Sequence, residues 1–364
     1  MTWKKQLQET ITSASELAAY RELSREEKVR MDAILAKYPM RVTRYYLSLV
    51  DWAHYEDDPI YRLCIPTIRE EDLSGSFDTS GEGSNTKLPG LQHKYRETVL
   101  VLTTQECAMY CRHCFRKRLV GIEGQQETAA DPLAVADYIR NHPEVNNVLL
   151  SGGDSFLLTN EAIRRYLELL TEIPHLNLIR FGTRTPVTFP VRITEDPELT
   201  QILREYNHRK QIYIVTHFNH PREITEQSAH AVRLLRETGL VVRNQTVLMR
   251  GVNDNAQTLA ELMQQLTAIG VVPYYIFQCR PVTGVGTQFQ VPLKEGYQIV
   301  EEARGMQNGQ GKSFRFVMSH PTGKIELIGP YTDGRMLFKY NQAKSPADLG
   351  RIFTEELSEE QCWL

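Results

Sequence analysis

Thr98-Val-Leu-Val-Leu-Thr103 runs straight on into Thr104-Gln-Glu-Cys107-Ala-Met-Tyr-Cys111-Arg-His-Cys114. The first half is an apolar, β-branched run of strand length, the pattern of a strand buried on both faces. The second half puts three cysteines into eight residues directly after it. A loop at the C-terminal end of a buried parallel strand is where α/β folds place their chemistry.

The same alternation continues downstream. Strands are expected at 147–151, 176–181, 211–216, 241–247 and 271–277, and helices at 132–140, 160–172, 197–206, 225–239 and 255–270. Apolar strands alternating with helices imply a parallel sheet with helices outside. Six such units predict an α/β fold, a full or partial (β/α)6 barrel of the TIM type. Polar segments recur just past the strands: Ser151-Gly-Gly-Asp154, Thr183-Arg-Thr185, His217-Phe-Asn-His220 and Gln278-Cys-Arg280. Upstream, the first forty residues read as helical, with Ser13 or Ser15 and then Ser24 as caps. Residues 74–89 are rich in Gly, Ser, Asp and Thr and read as a long surface loop. The expected divisions are an N-terminal helical extension and loop over 1–95, the barrel over 96–285, and a strand-containing C-terminal extension over 286–364.

The 364 residues carry a formal net charge of −3 and 24% charged side chains. That balance gives no basic surface for nucleic acid or membrane. No apolar run reaches the roughly 18 residues of a membrane span, and the first twenty residues lack the apolar segment of a signal peptide. A cytoplasmic location is expected. Cys64, Cys279 and Cys362 are scattered, so a disulfide framework is not expected.

Three thiols in Cys107-x3-Cys111-x2-Cys114 can hold three irons of a cubane, because thiolates are the usual protein ligands of such clusters. With no fourth cysteine at matching spacing, the fourth iron is open to a small molecule. The competing reading is a zinc knuckle, which wants four ligands in paired knuckles and would have to recruit His113. Gly152 and Gly153 allow close approach of backbone to a ligand.

The cysteine spacing resembles the radical SAM signature. The resemblance sharpens to the lysine 2,3-aminomutase family over nearly the full length. It is carried by Tyr45-Tyr-Leu-Ser-Leu-Val-Asp51, Ile65-Pro-Thr67, Pro89-Gly-Leu91, the cysteine segment, Leu149-Leu-Ser-Gly-Gly-Asp154, Arg184-Thr-Pro186 and Thr216-His-Phe-Asn-His-Pro221. Asn244-Gln245, Arg250-Gly-Val-Asn-Asp254 and Tyr274-Tyr-Ile-Phe-Gln-Cys279 complete it. The resemblance implies a [4Fe–4S] cluster on Cys107, Cys111 and Cys114, with S-adenosylmethionine bound at its open iron. It implies an electron donor such as flavodoxin or ferredoxin, and pyridoxal phosphate as a further cofactor. The reaction it implies is migration of an amino group from C2 to C3 of an amino acid. His113 would contact adenine. Ser151, Gly152, Gly153 and Asp154 would form the segment that meets the SAM amino group, Asp154 either accepting from that ammonium or shaping the loop. His217 and Gln245 match further SAM contacts.

Arg116 matches the arginine that grips the substrate carboxylate, a task suited to a planar fork. Lys324, in Pro321-Thr-Gly-Lys324, takes the place of the lysine that bonds to pyridoxal phosphate. The family's turn is longer and richer in glycine, and Lys94 stands where it usually has an arginine.

Lysine-specific members place two aspartates around the distal ammonium; the matching positions here are Arg280 and Ser319. A lysine ammonium beside Arg280 would be an unpaired like charge, costing several kcal/mol. The expected substrate is therefore an amino acid other than lysine, with an acidic side chain favoured. Asn255 and a single late cysteine, Cys362, replace the family's zinc ligands, so no structural zinc is expected and a homo-oligomer stays open. The alternatives are a PLP-independent radical SAM reaction on this scaffold, such as dehydration, epimerisation or fragmentation, and a cluster-bearing regulator that does not turn over.

Overall fold

Every expected barrel strand forms, and the helices follow between them. The computed structural model describes residues 2–120 and 131–364. Its strands are β1 (Thr86–Leu88), β2 (Leu91–Tyr95), β3 (Thr98–Thr104), β4 (Asn147–Gly152), β5 (Leu178–Gly182), β6 (Gln211–Thr216), β7 (Val241–Leu248) and β8 (Val272–Gln278). They continue as β9 (Arg315–His320), β10 (Gly323–Pro330), β11 (Met336–Ala343) and β12 (Ile352–Glu355). All lie in one sheet in sequence order. The run from β3 to β9 is parallel. Antiparallel strands extend it at both ends. The sheet is not closed, so the partial form of the expected barrel is the one adopted.

Helices at Pro132–Arg140, Asn160–Thr171, Pro197–Asn207, Glu226–Glu237 and Ala256–Ala268 cover the outer face. Each begins on a side chain that accepts a backbone N–H: Asp131, Thr159, Asp196, Thr225 and Asn255. A cap of this kind contributes about 1 kcal/mol. Their apolar faces join the strands in one core that includes Leu150, Leu167, Phe181, Leu203, Val232 and Leu266. At the N-terminus, Ser13 and Ser24 both form capping boxes. No helix among the described residues is long and apolar enough to cross a membrane.

The parallel strands alternate instead of being apolar throughout. In β7, Val242, Asn244, Thr246 and Leu248 are buried while the residues between them are partly exposed. Arg243, Gln245 and Val247 face a cavity within the curved sheet. Asn147, Leu149 and Ser151 of β4, and Leu178, Arg180 and Gly182 of β5, do the same. The concave side of the sheet is thus a wall with a polar lining.

Residues 74–89 correct one expectation. Only part of this stretch lies on the surface: Thr79, Ser80, Glu82 and Asn85 are buried, and a short helix, Glu82–Asn85, leads into β1. The cause is electrostatic. The Glu82 carboxylate accepts from Arg116 Nε at 2.9 Å and from Arg118 Nη2 at 2.7 Å, which draws the segment onto the cysteine loop.

A second buried carboxylate anchors the same loop. Glu70 is fully buried and accepts from Arg112 Nε at 2.8 Å, from Arg112 Nη2 and from Lys117 Nζ. Removing one partner from a buried ionic cluster leaves uncompensated charge, at a cost of about 3–5 kcal/mol. Glu70→Ala is expected to lower unfolding free energy by about that amount, read from denaturant midpoints of the metal-free chain. A loss below about 1 kcal/mol, the scale of a surface pair, would show that Arg112 and Lys117 find water instead.

Candidate functional site

The cysteine loop is seated by backbone geometry. Gly153 N–H donates to Thr104 O at 2.7 Å and Asp154 N–H to Glu106 O at 2.7 Å. A Cβ on Gly152 would stand 2.4 Å from Thr104 O, and one on Gly153 would stand 2.3 Å from Glu106 O. Gly152 also has φ +110°, in the region that favours glycine. The two glycines therefore admit the chain that leads into Cys107, in addition to leaving room for a ligand. Gly153→Ala is expected to push this loop outward at a strain of roughly 1–3 kcal/mol. Iron bound after anaerobic reconstitution should fall below that of the unaltered chain. Unchanged iron content together with an unchanged melting temperature would refute this role.

Asp154 is buried, and its oxygens are occupied by its own chain. Thr183 Oγ1 donates to Oδ1 at 2.6 Å, Phe156 N–H to Oδ1 at 3.0 Å, and Arg184 N–H to Oδ2 at 2.7 Å. Burial nonetheless raises its pKa. These bonds tie the 151–154 segment to the end of β5.

Cys107, Cys111, Cys114 and His113 line one cavity of about 550 Å³. The same cavity is lined by Ser151, Gly152, Gly153, Asp154, His217 and Gln245, and by Arg116, Arg280, Ser319 and Lys324. Every site residue expected from the sequence is thus brought together. No three His, Cys, Asp or Glu side chains among the described residues gather around one point as they would for a single ion. The donors suited to an iron–sulfur cluster are the three thiols on the loop after β3. Burial, with Arg184 and Arg116 nearby, lowers the His217 pKa to about 4 and keeps the imidazole neutral near pH 7.

The far wall is cationic. Lys324 on β10 pairs in register with Ser319 on β9, so the hairpin sets the two residues side by side. Gly323 is required there, since a Cβ would lie 2.2 Å from Gln342 O of β11. The Lys324 ammonium lies 4.6 Å from the Tyr275 ring centre. Burial first, then Arg180, Lys94 and Arg280, lowers its pKa to about 7. A desolvated amine among cations suits both a nucleophilic lysine and a nearby anion such as a phosphate. Lys94 donates to His320 O at 2.6 Å, and burial lowers its pKa to about 8. Arg280 stacks 4.2 Å from the Phe115 ring centre and donates to Ser80 Oγ. Burial lowers its pKa to about 10, Glu82 opposing, so it stays charged near pH 7.

Arg116 is held by Glu82 through Nε, and its Nη1 lies 3.3 Å from Ser151 Oγ. Glu82, Arg180 and Arg243 also line the cavity and escaped the sequence reading. For the two arginines a signal existed: each is a charge inside an apolar strand, in step with Gly182 or Gln245.

The radical SAM superfamily profile matches residues 101–263. An L-lysine 2,3-aminomutase of Clostridium subterminale is 40% identical over 309 residues, 84% of this chain and 73% of its own length. A glutamate 2,3-aminomutase of Clostridioides difficile is 37% identical over 334 residues, 90% of this chain and 77% of its own. Among solved structures, a radical SAM methyltransferase from Sphaerobacter thermophilus overlaps 62% of this chain and 68% of its own, with TM-score 0.44 and 18% identity. An enzyme framework with a [4Fe–4S] cluster and S-adenosylmethionine follows from the profile and the two aminomutase relatives, and the chain belongs to the lysine 2,3-aminomutase family of the radical SAM superfamily.

Proposed function

We propose that the protein is a pyridoxal-phosphate-dependent 2,3-aminomutase whose substrate is an α-amino acid with an acidic side chain, glutamate being the first choice. One observation carries the substrate class. Arg280 reaches the cavity as a charged group, and no carboxylate among the described residues forms an ion pair with it. A guanidinium in that state favours a ligand carboxylate, because a bidentate charge-assisted pair offsets its desolvation. The name of the Clostridioides difficile relative is in keeping with this class.

The bound cluster and S-adenosylmethionine supply a radical that abstracts hydrogen, and pyridoxal phosphate supplies a ring that delocalises spin. The chain's own residues bind, orient and enclose. Cys107, Cys111 and Cys114 hold iron, and His113, His217, Gln245 and the 151–154 segment hold the sulfonium ligand. Lys324 presents its amine to the aldehyde. Arg116, fixed in plane by Glu82, takes the α-carboxylate, while Arg280 and Ser319 take the side-chain carboxylate. Gripping both ends places C2 and C3 at one position, the gain that oriented binding brings to a short-lived radical. The walls exclude water that would quench it.

The test is anaerobic incubation of reconstituted protein with S-adenosylmethionine, dithionite, pyridoxal phosphate and a panel of L-amino acids, followed by mass spectrometry. A β-amino acid from glutamate and none from lysine is expected. A β-amino acid from lysine alone would refute the acidic class. 5′-Deoxyadenosine without any β-amino acid, indifferent to pyridoxal phosphate, would move the function to a PLP-independent reaction.

A further inference from the structure

We infer that Arg184 tunes the reduction potential of the cluster through a charge-assisted hydrogen bond to the Cys111 sulfur, with Glu223 as its counterweight. The inference rests on the cluster reading of the three cysteines. Arg184 stands just after β5, its side chain only 9% exposed. Its N–H is held by Asp154 Oδ2. Its Nε donates to His217 O at 3.0 Å, and its Nη2 donates to Glu223 Oε1 at 2.6 Å and to Tyr46 Oη at 3.4 Å. Those contacts fix the plane of the guanidinium and leave Nη1 aimed at Cys111 Sγ, 2.8 Å away.

The carboxylate behind it is equally fixed. Glu223 is fully buried and accepts from Tyr46 Oη at 2.5 Å, Asn219 N–H at 2.5 Å and His220 N–H at 3.1 Å. An ion pair needed only for packing has no use for a donor on a thiol. Here one end of the guanidinium serves the carboxylate and the other a sulfur that ligates iron.

Hydrogen bonds to ligating sulfurs and nearby charge are among the factors that set cluster potentials. One electron from an external donor takes the cluster from its 2+ to its 1+ level, and no protein bond forms or breaks. The added electron raises negative charge on the sulfurs. A cationic donor on Cys111 therefore favours the reduced level, and Glu223 behind it opposes that effect. The two residues act with opposite sign on one equilibrium in a site of low dielectric. Arg184 is a positioning residue for the cluster, not a group that touches substrate.

The experiment is a dithionite titration of the reconstituted full-length protein without S-adenosylmethionine, followed by electron paramagnetic resonance, with iron and sulfide assayed. Arg184→Gln is expected to disfavour reduction tenfold or more, a downward shift of about 59 mV for one electron. Arg184→Lys should shift it less, since one ammonium keeps the charge but cannot span Cys111 and Glu223 together. Glu223→Gln should shift it upward. An unmoved potential in Arg184→Gln protein carrying full iron overturns the inference. If that variant loses iron, Glu223→Gln with full iron decides: a rise supports the inference and no rise overturns it. Unaltered protein that assembles no four-iron cluster overturns the cluster reading itself, a different result from an unmoved potential.

Discussion

Arg280→Met is expected to cut kcat/KM for an acidic substrate by roughly 10²- to 10³-fold, the equivalent of about 3–4 kcal/mol for stranding a buried carboxylate without its partner. Methionine keeps the bulk that stacks on Phe115, so the loss reports charge. The combined change Arg280→Asp with Ser319→Asp goes further. It puts two carboxylates at the positions where the family resemblance expects aspartates in lysine-specific members, and should open the cavity to L-lysine while closing it to glutamate. Specificity is a difference between two affinities, and a like charge opposite the ligand contributes as much to it as the attractive pair. Glu82 offsets the Arg280 charge only in part in the unaltered protein, because its oxygens already accept from Arg116 and Arg118. The measurement is kcat/KM for both amino acids in all three proteins. Glutamate turnover that survives Arg280→Met would mean that Arg280 only shapes the wall through Ser80 and Phe115.

What the sequence made legible follows from the range of the interactions involved. The cysteine spacing, the strand runs and the capped helices are local patterns, and each strand formed where its apolar run lay. Arg280 and Ser319 were singled out by the family resemblance, and both line the cavity. The cavity lining was half legible. Arg180 and Arg243 carry the parity of the inner face, but a reading of the strands as continuous apolar runs hides that alternation. Glu82 was not legible, because its partner Arg116 lies 34 residues on and its burial depends on how the intervening chain turns back. Composition alone makes that segment look like surface. The glycine pair was read as space for a ligand, whereas the nearest atoms belong to the cysteine loop itself. Asp154 likewise waits on partners from the end of β5, which no local pattern announces.

Lys324→Ala is expected to abolish covalent retention of pyridoxal phosphate and to lower β-amino acid formation by more than about 10³-fold, a barrier rise of about 4 kcal/mol. Production of 5′-deoxyadenosine in uncoupled turnover should be affected far less, because the thiols and His217 lie on the segments that follow β3 and β6, not on β10. The pH dependence follows from the same geometry. Burial beside Arg180, Lys94 and Arg280 brings the amine to a pKa of about 7, below its ordinary value of 10.5. The neutral amine is the nucleophile. The rate at which the cofactor-free protein takes up the aldehyde should therefore rise with pH up to about 7 and level off above it. A lysine at its ordinary value would keep gaining rate with each further pH unit. Lys324→Arg separates charge from nucleophilicity: it keeps the cationic wall for an anion but offers no amine to the aldehyde. It should bind pyridoxal phosphate reversibly, so that borohydride leaves no phosphopyridoxyl group covalently attached to the protein. An Lys324→Ala protein that still carries that group after borohydride, or that forms β-amino acid at the unaltered rate, would take the nucleophilic role away from Lys324 and with it the pyridoxal phosphate reading.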